Sequence, residues 1–188
     1  MNRSSLITLL AMLAIVLAVG VYVWSESRDK DNDGFADSIP KDSIERIWTS
    51  ASYTNLDGEP IDLTDYRGRV LVVNSWASWC PFCVNELPDL ATVAAEYEDR
   101  NVTVLAINRS ESPLQVHAYL NTIGDLDGVI VVLDEADAYY SFIGGFAMPE
   151  TVFYDSDGNV VKHKRGYMAI DEMRRLIDET LAADEAGS

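Results

Sequence analysis

The two cysteines of the chain, Cys80 and Cys83, are separated by Pro81 and Phe82 and stand where an apolar strand pattern gives way to a helix pattern. A helix N-terminus carries unpaired amide groups and about half a positive charge, which favours a thiolate at Cys80 and makes it nucleophilic. Cys83 follows one helical turn later, close enough to form a disulfide after Cys80 has attacked a substrate. Pro81 presets a helical φ between them. This spacing is typical of thiol-disulfide exchange.

Two other uses of such a pair remain open. A purely structural disulfide that closes so short a loop adds only about 2 kcal/mol of stability in the chain-entropy account. A zinc site needs four ligands, and His117 and His163 form no H-x-x-x-H and accompany no second C-x-x-C. Both interpretations are therefore weaker than exchange.

Strand and helix patterns alternate around the cysteines and predict an α/β domain with a mixed central sheet flanked by helices. The turn dipeptides Asp57-Gly58 and Asp157-Gly158 predict an N-terminal β-hairpin extension and a second hairpin before the last helix. The predicted strands are Ser52–Asn55, Ile61–Leu63, Arg69–Ser75, Val102–Asn108, Val129–Leu133, Thr151–Asp155 and Val160–Gly166, and the predicted helices are Pro81–Arg100, Pro113–Ile123, Ala136–Phe142 and Ile170–Ala183.

The segment Leu6–Trp24 is uncharged and as a helix would span about 28 Å, the thickness of a bilayer core. Arg3 precedes it, whereas Glu26 and Asp29 follow, so the positive-inside rule places the remaining chain outside the cytoplasm. A cleaved signal peptide is the alternative. The expected organisation is a single-pass transmembrane helix in residues 1–24, an acidic linker in residues 25–43 and the folded domain in residues 44–184.

The acidic composition argues against one class of partner and raises the question of calcium binding. With 31 acidic and 14 basic residues, net charge −17, the chain is a poor partner for nucleic acid. The linker carries Asp29, Asp31, Asp33 and Asp37, which resemble the start of a calcium loop. Position twelve of that loop is Pro40 instead of a bidentate Glu, so a solvated tether is the stronger interpretation and calcium the weaker one. No other cofactor is expected besides the redox-active disulfide.

The segment VLVVNSWASWCPFCVNELPDL resembles the active-site segment of TlpA-like thioredoxin-fold proteins, the group that includes ResA and CcmG. The likeness runs from about Tyr53 to Leu181 and includes Gly166 at the end of the last strand. It implies a thioredoxin fold, with Cys80 and Cys83 catalytic and a cis-proline beside them that offers backbone groups to an extended substrate. A Met precedes that proline where the group more often has Thr, Ser or Val. The expected substrate-binding residues are Trp79, Pro81, Phe82, Met148 and Pro149.

The resemblance also suggests a proton partner for Cys83. Asn74 occupies the strand position where thioredoxins carry a buried Asp, and an amide cannot titrate. Glu111 matches a glutamate that ResA-like proteins place near the active site after the next strand, and a partly buried carboxylate there could exchange protons with Cys83. Without the resemblance, Glu111 would be a first-turn helix acid. Glu86, in the helix after the cysteines, is expected to be solvated.

Together with the apolar segment Leu6–Trp24, the resemblance implies a membrane-anchored thiol-disulfide oxidoreductase outside the cytoplasm. It would reduce exported clients, for example apocytochrome c, and a membrane electron donor would reset the cysteine pair. A general oxidase remains open within this class. A copper-binding assembly factor and a thiol peroxidase can share the fold, but the first usually carries C-x-x-x-C with a distant His and the second P-x-x-x-[ST]-x-x-C.

Overall fold

The computed structural model describes residues 12–20, 48–49, 53–124 and 126–187. Residues 12–20 form a helix with exposed side chains. Within the described ranges, no helix combines the length and the apolar character needed to cross a membrane. The predicted span Leu6–Trp24 extends beyond residues 12–20 at both ends, and Asp29, Asp31, Asp33 and Asp37 lie outside the described residues. The membrane helix and the calcium site therefore remain predictions.

The chain divides into two compact units, Met1–Phe35 and Ala36–Ser188, and the second contains a mixed sheet. Its described strands lie in the order β2-β1-β5-β4-β3-β6-β7. Strand β4 pairs in parallel with β3 and with β5, whereas β1, β2, β6 and β7 join the sheet through antiparallel pairs. The strands are β1 (Tyr53–Thr54), β2 (Pro60–Ile61), β3 (Val70–Trp76), β4 (Val102–Arg109), β5 (Val129–Asp134), β6 (Glu150–Tyr154) and β7 (Val160–Arg165).

In the described part of the chain, three helices lie between these strands and one follows β7, at nearly the positions that the sequence predicts. They are α1 (Pro81–Glu96), α2 (Pro113–Ile123), α3 (Ala138–Phe142) and α4 (Ile170–Gly187), with 3₁₀ turns at Leu63–Tyr66 and Glu98–Arg100. Helix α1 continues through Pro88 and ends at Glu96, before the predicted end at Arg100. The chain then forms the 3₁₀ turn Glu98–Arg100 and passes through the left-handed Asn101 (φ 56°) into β4. Helix α2 begins with a capping box between Ser112 and Gln115.

The core joins the central strands to the helix that carries the cysteines. Every residue of β3 is buried, as expected for a continuous apolar run in the middle of a sheet. Val72 of β3 and Leu87 of α1 belong to one cluster with Leu176 of α4, and both cysteines are part of it. The predicted α/β class, mixed sheet and N-terminal hairpin are confirmed, and the buried β3 fixes the point from which the cysteine loop departs.

Candidate active site

The cysteine pair lies at the start of α1. Cys80 is the N-cap residue, and its sulfur accepts the backbone N–H of Cys83 at 3.2 Å. The two cysteines form a disulfide, with their Cα atoms 5.3 Å apart. Both are almost fully buried, at 3% and 1% exposure. After reduction, the same N–H and the helix N-terminus would stabilise a thiolate at Cys80, the nucleophile that the sequence predicts.

Exposed aromatic side chains flank the buried disulfide. Trp79 and Phe82 are 65% and 60% exposed, on either side of Cys80. Pro149 is preceded by a cis peptide bond, as the resemblance implies, and Met148 packs against the core cluster that contains the cysteines. Glu150, the residue after Pro149, pairs with Ser75 of β3, so the cis-proline lies near the end of the strand that leads to the cysteines. The contacts of these residues with a substrate remain a prediction.

Glu86 is not a solvated helix residue, and that expectation is wrong. Its side chain has no exposed surface. One carboxylate oxygen accepts the amide N–H of Asn74 at 2.9 Å and the hydroxyl of Thr151 at 3.5 Å. The other accepts the backbone N–H of Met168 at 2.8 Å. Three donors from separate parts of the chain therefore converge on this carboxylate, which explains how the protein tolerates its burial.

Burial also changes the acidity of Glu86. It raises the pKa of the Glu86 carboxyl to about 7, because the ionised form loses its hydration, and the hydrogen bonds from Met168, Thr151 and Asn74 offset only part of that rise. Cys83 lies three residues earlier on α1, so both side chains project from the same face of the helix. A group with a pKa near neutrality can take the proton that Cys83 must lose before it attacks.

Glu111 lies near the cysteine loop, but its hydrogen bonds reach other residues. One oxygen accepts the backbone N–H of Ser78 at 2.8 Å and the amide of Asn108 at 2.7 Å, and the other accepts the hydroxyl of Ser78. Ser78 stands two residues before Cys80. These contacts show that Glu111 anchors the loop between β3 and α1, and proton exchange between Glu111 and Cys83 remains a prediction.

Helical periodicity could have identified Glu86. The buried positions of α1 include Cys83, Leu87, Leu90 and Val93, which follow the spacing of three and four that marks one helix face. Position 86 lies on that same face, three residues after Cys83 and four before Leu90. The pattern therefore predicts a buried carboxylate, which the high frequency of Glu on helix surfaces obscured.

The structure also bears on the weaker interpretations of the cysteines. Among the described residues, no three or more His, Cys, Asp or Glu side chains are grouped in a way that could hold a metal ion. His117 directs Nε2 toward the carbonyl oxygen of Leu56 at 3.2 Å, and His163 directs Nε2 toward the carboxylate of Glu150 at 2.7 Å. The two histidines thus contact residues other than the cysteines.

Comparison with known sequences identifies a family and several similar proteins. Residues 36–179 match the Redoxin family. The chain is similar to the thiol-disulfide oxidoreductase ResA of Halalkalibacterium halodurans, with 31% identity over 129 residues that cover 65% of this chain and 70% of the relative. It is also similar to ResA of Geobacillus thermodenitrificans, with 29% identity over 125 residues that cover 66% and 71% of the two chains.

Solved structures show the same similarity in three dimensions. One is a secreted Mycobacterium tuberculosis disulfide oxidoreductase described as homologous to E. coli DsbE, with 27% identity and a TM-score of 0.59, covering 74% of this chain and 98% of that chain. Another is an exposed lipoprotein thioredoxin of Streptococcus pneumoniae, with 26% identity and a TM-score of 0.61, covering 68% and 97%. These matches confirm the thioredoxin-like fold.

Replacing Glu86 with Gln should change how stability depends on pH. The carboxyl has its ordinary pKa of 4.5 when unfolded and a pKa of about 7 when folded, so the folded state holds the extra proton between those values. Its stabilising contribution is complete below pH 4.5 and is lost as the pH rises through 7. Relative to the wild type, E86Q should therefore gain about 2–3 kcal/mol of unfolding free energy between roughly pH 5 and pH 8.

Denaturant unfolding of the oxidised protein at both pH values measures this difference. The exposed Glu135→Gln is the matched control and should follow the wild-type pH dependence. If E86Q and the wild type show parallel pH profiles, Glu86 does not titrate near neutral pH.

Proposed function

Because the chain belongs to the Redoxin family, in the TlpA/ResA/CcmG-like group of thioredoxin-fold thiol-disulfide oxidoreductases, we propose that it reduces disulfides in exported client proteins through Cys80 and Cys83. The observation that carries this proposal is the disulfide at the start of α1, with the Cys83 N–H directed at the Cys80 sulfur. The exposed Trp79 and Phe82 beside it supply apolar surface for a client chain.

In the proposed reaction, the Cys80 thiolate attacks one sulfur of the client disulfide. A mixed disulfide forms, and the other client sulfur leaves as a thiolate and takes up a proton. Cys83 then transfers its proton to the Glu86 carboxylate and attacks the Cys80 sulfur. The second client sulfur leaves as a thiolate and takes up the proton that Glu86 received, and the Cys80–Cys83 disulfide forms. The client gains two electrons that the cysteine pair loses, and a membrane thiol donor restores the reduced pair.

The reductive direction and the client class rest on the group to which the chain belongs. An anchored thiol donor fits the ResA and CcmG pattern, in which oxidised apocytochrome c or another dedicated client is reduced. The direction follows from the reduction potential of the cysteine pair relative to its donor and client. A pair more oxidising than its clients would instead make the protein an oxidase.

Removing one cysteine at a time tests the exchange function. In Cys83→Ser the resolving thiol is absent, so mixed disulfides between Cys80 and clients should accumulate in cells. Cys80→Ser lacks the nucleophile and should trap few or none. The adducts are measured by acid quenching, non-reducing electrophoresis and mass spectrometry of the linked peptides. Equal trapping by both variants, or no adduct with either, would reject the assignment of Cys80 as the nucleophile of an exchange protein.

We further propose that the cysteines work on the outer face of the cytoplasmic membrane. The uncharged segment Leu6–Trp24 with Arg3 before it supports this orientation. The similar proteins of Mycobacterium tuberculosis and Streptococcus pneumoniae are described as secreted and exposed, respectively. Both features agree with a domain that lies outside the cytoplasm.

Protease treatment of spheroplasts tests this orientation. A C-terminal epitope on the full-length chain should disappear when protease is added outside, while a cytoplasmic marker protein stays intact. A small membrane-bound fragment should remain if residues 1–24 are retained as an anchor. Protection of the epitope until the spheroplasts are lysed would place the cysteines in the cytoplasm and contradict the proposal.

A further inference from the structure

The carboxylate of Glu150 binds the loop that leads to the cis-proline. Glu150 is the first residue of β6, and its side chain is fully buried. Its Oε1 accepts the backbone N–H groups of Phe146 and Ala147, each at 2.7 Å. Its Oε2 lies 2.7 Å from Nε2 of His163, whose side chain is also fully buried. The Glu150 carboxylate, which contacts His163 of β7, therefore binds two successive peptide groups of this loop.

Tyr140 of α3 supports the same loop from a second direction. The N–H of Gly145 donates to the carbonyl oxygen of Tyr140 at 2.9 Å, and a Cβ at Gly145 would overlap the Tyr140 ring. The Tyr140 hydroxyl lies 3.5 Å from Oε1 of Glu150, and the Arg109 guanidinium stacks 3.3 Å from the centre of its ring. The loop is thus held at its start by Tyr140 and further along by Glu150.

This fixed loop presents one large side chain to solvent. Phe146 is 76% exposed, and the Arg165 guanidinium lies 5.1 Å from the centre of its ring. A large exposed apolar side chain on a restrained backbone binds a partner with a small entropic cost, and aromatic residues are frequent binding hot spots. Phe146 stands three residues before Pro149, so a client that reaches the cis-proline passes close to it.

We propose that Glu150 and His163 are positioning residues for client binding, and that Phe146 is the specificity residue they present to an extended client segment with an apolar or aromatic side chain near its disulfide. This inference rests on the proposed exchange function. The exchanged bonds and electrons are those of the cysteine pair, and Glu150, His163 and Phe146 act on the binding step. Changing them should therefore alter the apparent affinity for the client while the reactivity of Cys80 stays the same.

Single-turnover oxidation of the reduced full-length protein tests the inference with three disulfides. Two are disulfide-linked peptide dimers of equal length, one with Phe and one with Ser two residues from the cysteine, and the third is oxidised glutathione. Phe146→Ala and Glu150→Ala should each lower the rate constant at limiting concentration of the Phe peptide by about fivefold or more. The constants for the Ser peptide and for glutathione should stay within about twofold, as should alkylation of Cys80 by iodoacetamide.

Two further variants separate positioning from general stability. Glu150→Gln keeps an oxygen that accepts the N–H groups of Phe146 and Ala147, so it should retain most of the preference for the Phe peptide. Asp184→Ala removes a similar anchor at the far end of β6, where the carboxylate accepts the N–H of Ser156 at 2.8 Å, and should leave the preference unchanged.

The results distinguish a failure of the client-specificity inference from a failure of the exchange function. Equal use of the Phe and Ser peptides by the wild type, or an unchanged preference in Phe146→Ala, would overturn the inference, and this exposed variant decides the matter even if Glu150→Ala does not fold. A preference lost equally in Asp184→Ala would also overturn it. If the reduced wild type oxidises with none of the three disulfides, the exchange function itself fails.

Discussion

The burial of the Glu86 carboxylate is the constraint on which the active-site region depends. A carboxylate without solvent needs hydrogen-bond donors, and here they come from Asn74 in β3, Thr151 in β6 and the backbone of Met168 ahead of α4. The hydrogen bonds of Glu86 therefore form only when β3, β6 and the segment that precedes α4 have all reached their folded positions. The same burial raises the Glu86 pKa to about 7, the property that the proposed proton transfer from Cys83 uses.

Two more glutamates, Glu111 and Glu150, are also buried, and each binds a loop. Glu111 binds the backbone and hydroxyl of Ser78 in the loop before Cys80, and Glu150 binds two backbone amides in the loop before Pro149. Each carboxylate accepts N–H groups that a loop would otherwise leave to water. The loop before Cys80 and the loop before Pro149 are therefore both held by acidic side chains, in a chain whose net charge is already −17.

The strands, the helices and the chemistry of the cysteines could be predicted from the sequence because the patterns that indicate them are local. The apolar run of β3, the turn dipeptides and the C-x-x-C occupy a few consecutive residues each. The hydrogen bonds of Glu86 join residues 12, 65 and 82 positions apart, and that of Glu111 to Ser78 spans 33 positions. Such partners follow only from the assembled sheet. The resemblance drew attention to Glu111, whereas Glu86 was expected to be solvated although the helix periodicity of α1 places it on the buried face.

The measurement that tests the role of Glu86 most directly is an NMR titration of its side-chain carboxyl carbon in the oxidised protein, with Glu86→Gln used to assign the signal. The account predicts a titration midpoint near pH 7, because the buried carboxylate is only partly stabilised by its three donors. A midpoint close to the ordinary value of 4.5 would show that Glu86 is fully ionised at neutral pH. The proposed acceptor of the Cys83 proton would then be wrong.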